Sequence, residues 1–183
     1  MTKLEFNLDA HIAKIPDFPK QGITFYDISP VLEEAQLLRQ AIDVLCEKAK
    51  IFQPDLIGGI DARGFLFATP LAYHLNCCSV MIRKSNKLPG EVFSQSYDLE
   101  YGTAELCIQS DRKLSGKRVL LVDDLIATGG TALACADLVH ENFGVPKNNI
   151  TVLAIIDLTD LGGFVKITEQ GYNAGTLIEY EGE

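Results

Sequence analysis

Positive charge is scarce in this chain. Sixteen Lys and Arg stand against 25 Asp and Glu in 183 residues, a formal net charge of −9. That balance excludes a broad nucleic-acid footprint, because phosphate backbones are gripped by clustered Lys and Arg. An anionic small ligand would have to find its positive charge locally. Long apolar runs are missing as well. No stretch approaches the length of a membrane span, and the opening MTKLEFNLDAHIAKIPDFP lacks the apolar centre of a secretory signal. A cytoplasmic location without membrane contact is therefore expected. The C-x-x-C spacing is absent too. The five cysteines (Cys46, Cys77, Cys78, Cys107 and Cys135) are odd in number and lie in apolar or helical surroundings. Buried free thiols in a reducing compartment fit this better than disulfides or zinc. Three histidines occur, and His74 and His140 lie in helical runs without a Cys or acid at ligand spacing, so they read as structural or surface positions.

What is present is ordinary globular material, 47% apolar and 22% charged, enough for the core of one domain. Residues 3–14 carry weak helical spacing. Residues 15–30, IPDFPKQGITFYDISP, are dense in Pro, Gly and aromatics, as functional loops often are. Leu37, Leu38, Ala41, Ile42, Leu45 and Cys46 predict a helix from Val31 to about Lys50. Short apolar runs then alternate with helical ones. Strands are expected at 55–60, 78–84, 104–109, about 117–124, 149–158 and 176–180, and helices at about 65–75 and 131–143. Residues 85–103 read as a long polar excursion. Continuous apolar strands interleaved with helices predict an α/β fold, a mainly parallel sheet covered on both faces. Ligands of such sheets lie at the carboxyl ends of the strands, which directs attention to residues 61–63, 83–84, 123–131 and 157–158.

The most informative stretch is VLLVDDLIATGGTALACADLV, residues 119–139. A buried strand runs into adjacent Asp123 and Asp124, then a glycine turn, then a helix. Gly129 and Gly130 permit positive φ and close backbone approach. Amides from Ala127 to Thr131, with the helix start behind them and the hydroxyls of Thr128 and Thr131 beside them, make a phosphate cradle. Neither G-x-x-x-x-G-K-[ST] nor G-x-G-x-x-G is present. The carboxylates suit vicinal hydroxyls, and a ribose 5-phosphate offers a diol and a phosphate at about this separation. A helix cap would explain one Asp, but capping does not require two.

This stretch resembles the signature of the type I phosphoribosyltransferases, enzymes that bind phosphoribosyl pyrophosphate (PRPP). DFPKQGITFYDISPVL, DARGFLFATPLA, IRKSNKLPG, SYDLEYGTAEL and DLTDLGG extend the resemblance in order, towards the branch of that family that uses adenine. It implies the family's fold, with a small N-terminal hood for base recognition (residues 1–30), a PRPP-binding α/β core (31–183) and a flexible catalytic lid (85–103). The implied reaction is adenine + PRPP → AMP + pyrophosphate, in purine salvage, by a homodimer.

Roles follow from the resemblance, position by position. Asp123 and Asp124 would hold the ribose hydroxyls, and Ala127, Thr128, Gly129, Gly130 and Thr131 the 5-phosphate. Asp61, Ala62 and Arg63 would form the pyrophosphate loop, where members of the family often strain a peptide bond. Arg83 and Lys87, ahead of Lys84, would bring positive charge to pyrophosphate. Glu100 would be the catalytic acid of the lid and Tyr101 its phosphate contact. Phe25 would stack on the purine, the main chain of Thr24 would read its edge, Arg63 would border the base, and Asp27 would hold the loop. Mg²⁺ is the implied cofactor, held mainly by substrate and water rather than by protein ligands. A transferase for another purine base remains open, with Thr24 and Phe25 deciding. So does a non-catalytic PRPP sensor, although the added DNA-binding domain or basic face of such regulators is not visible at this net charge.

Overall fold

The structure, a computed structural model, describes residues 7–99 and 102–181. Its centre is a seven-stranded sheet, built from β3 (Leu56–Ile60), β4 (Cys78–Lys84), β5 (Val92–Leu99), β6 (Gly102–Gln109), β7 (Val119–Ile126), β8 (Ile150–Leu158) and β9 (Asn173–Tyr180). The spatial order is β5-β6-β4-β3-β7-β8-β9. β4, β3, β7, β8 and β9 run parallel, and β6 and β5 extend the β4 edge in antiparallel sense. The expected mainly parallel sheet is therefore present, and its order reverses between β3 and β7, where the chain opens a crevice at the strand ends.

Period-2 alternation sorts the side chains to two faces. Leu121 and Val152 face Leu133, Ala136 and Val139 of helix α4 (Gly130–Phe143) and Ile167 of α5 (Gly163–Glu169). Leu120, Val122 and Leu153 face Ala41 and Leu45 of α2 (Ala35–Lys50) and Phe67 and Leu71 of α3 (Gly64–Leu75). Nearly all of these side chains are fully buried, and each Leu, Ile, Val or Phe among them contributes about 1.5–3 kcal/mol of apolar transfer free energy. On the α2–α3 side, Leu8, Ile12, Tyr26 and Ile28 join the same cluster. The N-terminal segment, which carries the hairpin of β1 (Ala13–Ile15) and β2 (Phe25–Asp27), is thus packed on the sheet by its own apolar residues.

Several elements differ from the sequence-based expectation. The helical spacing at 3–14 gives, in its described part, only a 3-10 turn at Asp9–His11 followed by β1. The helix expected from Val31 is two, α1 (Ser29–Glu33) and α2, separated by the extended backbone of Glu34 at φ −111 and ψ 119. The polar excursion at 85–103 contains β5, which pairs along its whole length with β6. Its polarity has a simple cause: at the sheet edge, Phe93, Gln95 and Tyr97 are half-buried while Ser94 and Ser96 face outward. Helix α5 was not anticipated, being only seven residues long. Cys46, Cys107 and Cys135 are buried free thiols as expected, but Cys77 is half-buried and Cys78 exposed, at the open start of β4. Among the described residues no helix is long and apolar enough to cross a membrane.

Candidate active site

The crevice at the β3/β7 switch holds a cavity of about 600 Å³ lined by residues 61–63, 123–129 and 131, with Lys84, Tyr97, Ala104 and Ala132. Three loops meet there, each leaving the carboxyl end of a strand. β7 continues beyond the residues expected of it: Asp123 and Asp124 lie inside the strand, which ends at Ile126. Their adjacency sends the side chains different ways. Asp124 is buried, and its carboxylate accepts a hydrogen bond from Nε of Arg63. Asp123 is half-buried, and its Oδ1 accepts the backbone N–H of Asp124 at 2.9 Å. Burial, then the negative charge of Asp124, pushes the Asp123 carboxyl up to about 8.

The cradle behind the aspartates is bare backbone. Gly129 has φ +79 and sits against Gly163 of α5, where a Cβ would come within 2.9 Å of the Gly163 carbonyl oxygen. A Cβ on Gly163 would in turn come within 2.2 Å of the Ala127 carbonyl oxygen. The motif DLTDLGG thus lays α5 directly under the loop. Gly129 precedes the first turn of α4, so the loop runs directly into the helix start with its free amides. Thr128 is exposed and Thr131 half-buried at the mouth of this cradle.

The loop 61–63 is held by both its neighbours. Asp61 accepts a hydrogen bond from Nε of Arg83 at 3.0 Å and one from the Lys84 amide at 3.4 Å, and the Asp61–Ala62 peptide bond is cis. Gly64, which opens α3, packs so tightly on β7 that a Cβ there would come within 2.2 Å of the Val122 carbonyl oxygen. That approach brings Arg63 to Asp124. The Arg63 guanidinium carbon also stands 5.6 Å from the ring centroid of Phe25, within cation–π range. Phe18 meets the same ring edge-on at 5.2 Å. Arg63 therefore joins the aspartates to the N-terminal hairpin. Asp27 accepts hydrogen bonds from the amide and hydroxyl of Ser29, at 2.9 and 2.7 Å, and so holds the start of α1.

The structure thus brings together Phe25, Asp61, Ala62, Arg63, Asp123, Asp124 and the loop 127–131. The basic cluster is arranged differently from the expectation. Lys84 lines the cavity, whereas Arg83 points to the α3 side, against Asp61 and the ring of Phe65 at 5.7 Å. Neighbours on a strand face opposite ways, so a site that takes Lys84 turns Arg83 from the cavity wall into a support for Asp61. Lys87 lies exposed in the turn after β4, and neither it, Thr24 nor Phe25 is among the lining residues described. Tyr97 was missed. Its signal was alternation with Phe93 and Gln95 in a segment read as polar. Glu100 and Tyr101 lie outside the described residues.

Comparison with known proteins accords with this geometry. The model of the phosphoribosyl transferase domain family matches residues 31–154. The adenine phosphoribosyltransferase of Clostridium botulinum (strain Hall) is 46% identical over 174 residues, covering 95% of this chain and 98% of that one. The crystal structure of the Thermoanaerobacter pseudethanolicus adenine phosphoribosyltransferase superposes with a TM-score of 0.86 at 44% identity, over 94% of this chain and 98% of that one. The Saccharomyces cerevisiae enzyme, solved with adenine and an imino-altritol bisphosphate, superposes with a TM-score of 0.84 at 34% identity, over 93% and 96%. The chain belongs to the type I phosphoribosyltransferase family, in its adenine phosphoribosyltransferase branch.

Proposed function

We propose that Asp123 and Asp124 hold the ribose diol of PRPP, that residues 127–131 hold its 5-phosphate, and that the N-terminal hairpin presents adenine to the anomeric carbon. The chain is a pentosyltransferase that makes AMP and pyrophosphate from adenine and PRPP. The observation that carries the residue assignment is the contact of Arg63 with both Asp124 and the Phe25 ring, because it joins a sugar-phosphate half and an aromatic half into one site.

The reaction passes through a ribosyl cation-like transition state with inversion at C1. The enzyme supplies position, electrostatics and exclusion of water. Arg63 and Lys84 face the leaving pyrophosphate, with Arg83 supporting through Asp61, and Lys87 reaches it from the following turn. Phe25 stacks on the purine, and the main chain of Thr24 matches the donor and acceptor of the adenine edge. Hypoxanthine reverses that pattern and would leave buried polar groups unpaired. The segment 1–30 serves as a hood and residues 85–103 as a lid over the α/β core. In that lid Glu100 stabilises charge on the ribosyl ring or base and assists proton transfer, while Tyr101 contacts phosphate.

Mg²⁺ fits this site as a substrate-borne cofactor. The carboxyl oxygens of Asp123 and Asp124 in the cavity wall are the hard oxygen chemistry compatible with a partly hydrated ion. When bound, it offsets charge on the leaving group. The working unit is a homodimer: Leu66 and Tyr73, seven positions apart on α3 and so on one face, are 47% and 84% exposed, and Met81 of β4 is exposed as well. Free thiols suit the cytoplasm.

Glu100→Ala tests the catalytic assignment. Turnover falls by about 100-fold or more, the scale of general acid–base catalysis, while AMP affinity stays within a few-fold. Near-normal turnover refutes the role.

A further inference from the structure

We propose that Tyr180, the last residue of β9 and outside the cavity, is a positioning residue for the base: it clasps the N-terminal hairpin so that Phe25 is held against Arg63. The inference rests on Phe25 stacking on adenine.

Four separate contacts converge on this residue. Its ring stacks on Tyr26 with centroids 4.3 Å apart and planes at 16°. Its hydroxyl donates to the Asp9 carboxylate. The ammonium of Lys14 stands 4.3 Å from its ring centroid and 3.4 Å from the same Asp9 carboxylate. Its own carbonyl oxygen accepts the hydroxyl of Thr159 at 3.1 Å, tying the end of β9 to the turn after β8. Tyr180 is 9% exposed and Tyr26 7%. The hydrogen bond pulls the Asp9 carboxyl down, while burial, and then the same bond, push the Tyr180 phenol up.

These contacts reach the site through one peptide unit. In the β1–β2 ladder Lys14 pairs with Tyr26 and Ile15 with Phe25. Alternation turns neighbouring side chains to opposite faces, so the inward Tyr26 fixes the outward Phe25. A two-stranded hairpin is only marginally stable by itself. This one owes its place to its apolar anchors and to the residue its Tyr26 stacks on. Loosening the clasp lets the Phe25 ring wander, which weakens a stacking site, while the sugar-phosphate half on β7, α4 and α5 keeps its shape.

Steady-state kinetics of full-length variants, varying adenine and PRPP separately, provide the test. Tyr180→Leu removes stack, cation–π contact and hydroxyl together. It is expected to raise KM for adenine about tenfold, the factor that about 1.4 kcal/mol represents, with KM for PRPP changed less than about twofold, since a loss at the clasp that spared the other half would be additive. Tyr180→Phe keeps the ring and is expected to give an increase of about two- to threefold, on the scale of one hydrogen bond. Tyr172→Phe is the control, because it cuts a similar tyrosine–carboxylate bond, to Asp137, on the opposite face, and should leave both KM values unchanged. A soluble Tyr180→Leu protein with unchanged KM for adenine, or with equal rises for both substrates, overturns the clasp. If Tyr180→Leu does not fold, the cycle of Tyr180→Phe with Asp9→Ala decides: the double variant should match Asp9→Ala alone, and additive effects overturn the proposal. Phe25→Ala separates the two readings, since an unchanged KM for adenine in that variant sinks the base site itself, whatever Tyr180 does.

Discussion

Replacing both Asp123 and Asp124 with Asn should abolish tight PRPP binding without unfolding the protein. Each carboxyl is assigned hydrogen bonds to a ribose hydroxyl, about 1.5–3 kcal/mol for the Asp124 carboxylate and about 0.5–1.5 kcal/mol for the raised Asp123 carboxyl, so losing the pair should weaken PRPP by about thirtyfold or more in titration calorimetry. Stability should respond in another way. Folding raises the Asp123 pKa to about 8 because the site buries it beside a second acid. A raised carboxyl binds its proton more tightly folded than unfolded, so its contribution to stability declines as pH climbs from about 4 to about 8. Asn has no ionised form to disfavour. The double variant should therefore melt within a few degrees of the parent at pH 7, and should compare more favourably still above pH 8. Unchanged PRPP affinity would remove the ribose assignment, whereas collapse of the fold would show that the two acids are structural.

Arg63→Ala should cost both activity and stability, and the two losses should separate. Asp124 is 3% exposed while Arg63 is 48% exposed. Removing the arginine strands a buried carboxylate next to another acid, which destabilises by roughly 1–3 kcal/mol. It also removes a cation from the pyrophosphate loop, which should lower kcat/KM for PRPP about a hundredfold, in line with loss of a charge-assisted contact. Adding Asp124→Asn should restore most of the thermal stability but none of the activity. Recovery of both would mean that Arg63 serves only to neutralise Asp124.

Much of this site was legible along the chain because it is local there. Asp123, Asp124 and the loop 127–131 follow one another from strand to turn to helix, and each step has its own residue chemistry. The same holds for the parallel strands, whose apolar runs were placed to within a few residues. What was not legible is what arises between segments. Arg63 meets Asp124 across 61 positions and Tyr180 meets Asp9 across 171, and no spacing rule spans such distances. Arg83 and Lys84 look interchangeable as neighbouring cations, and only the pleat of β4 decides which one enters the cavity. The segment 92–99 looked like a loop because an edge strand needs just one apolar face, and α5 is too short to display a period. Its importance lies in Gly163, a residue with no side chain to notice.

The hood and the sugar-phosphate half, acting as one site, should make the enzyme selective for adenine. Initial rates with PRPP, Mg²⁺ and each of adenine, hypoxanthine and guanine measure that selectivity. Adenine should yield AMP and pyrophosphate in equal amounts, with kcat/KM exceeding that of the other bases by about 10³-fold or more, as expected where unmatched polar groups are buried. Comparable rates with hypoxanthine or guanine, or no nucleotide from adenine at all, would contradict it.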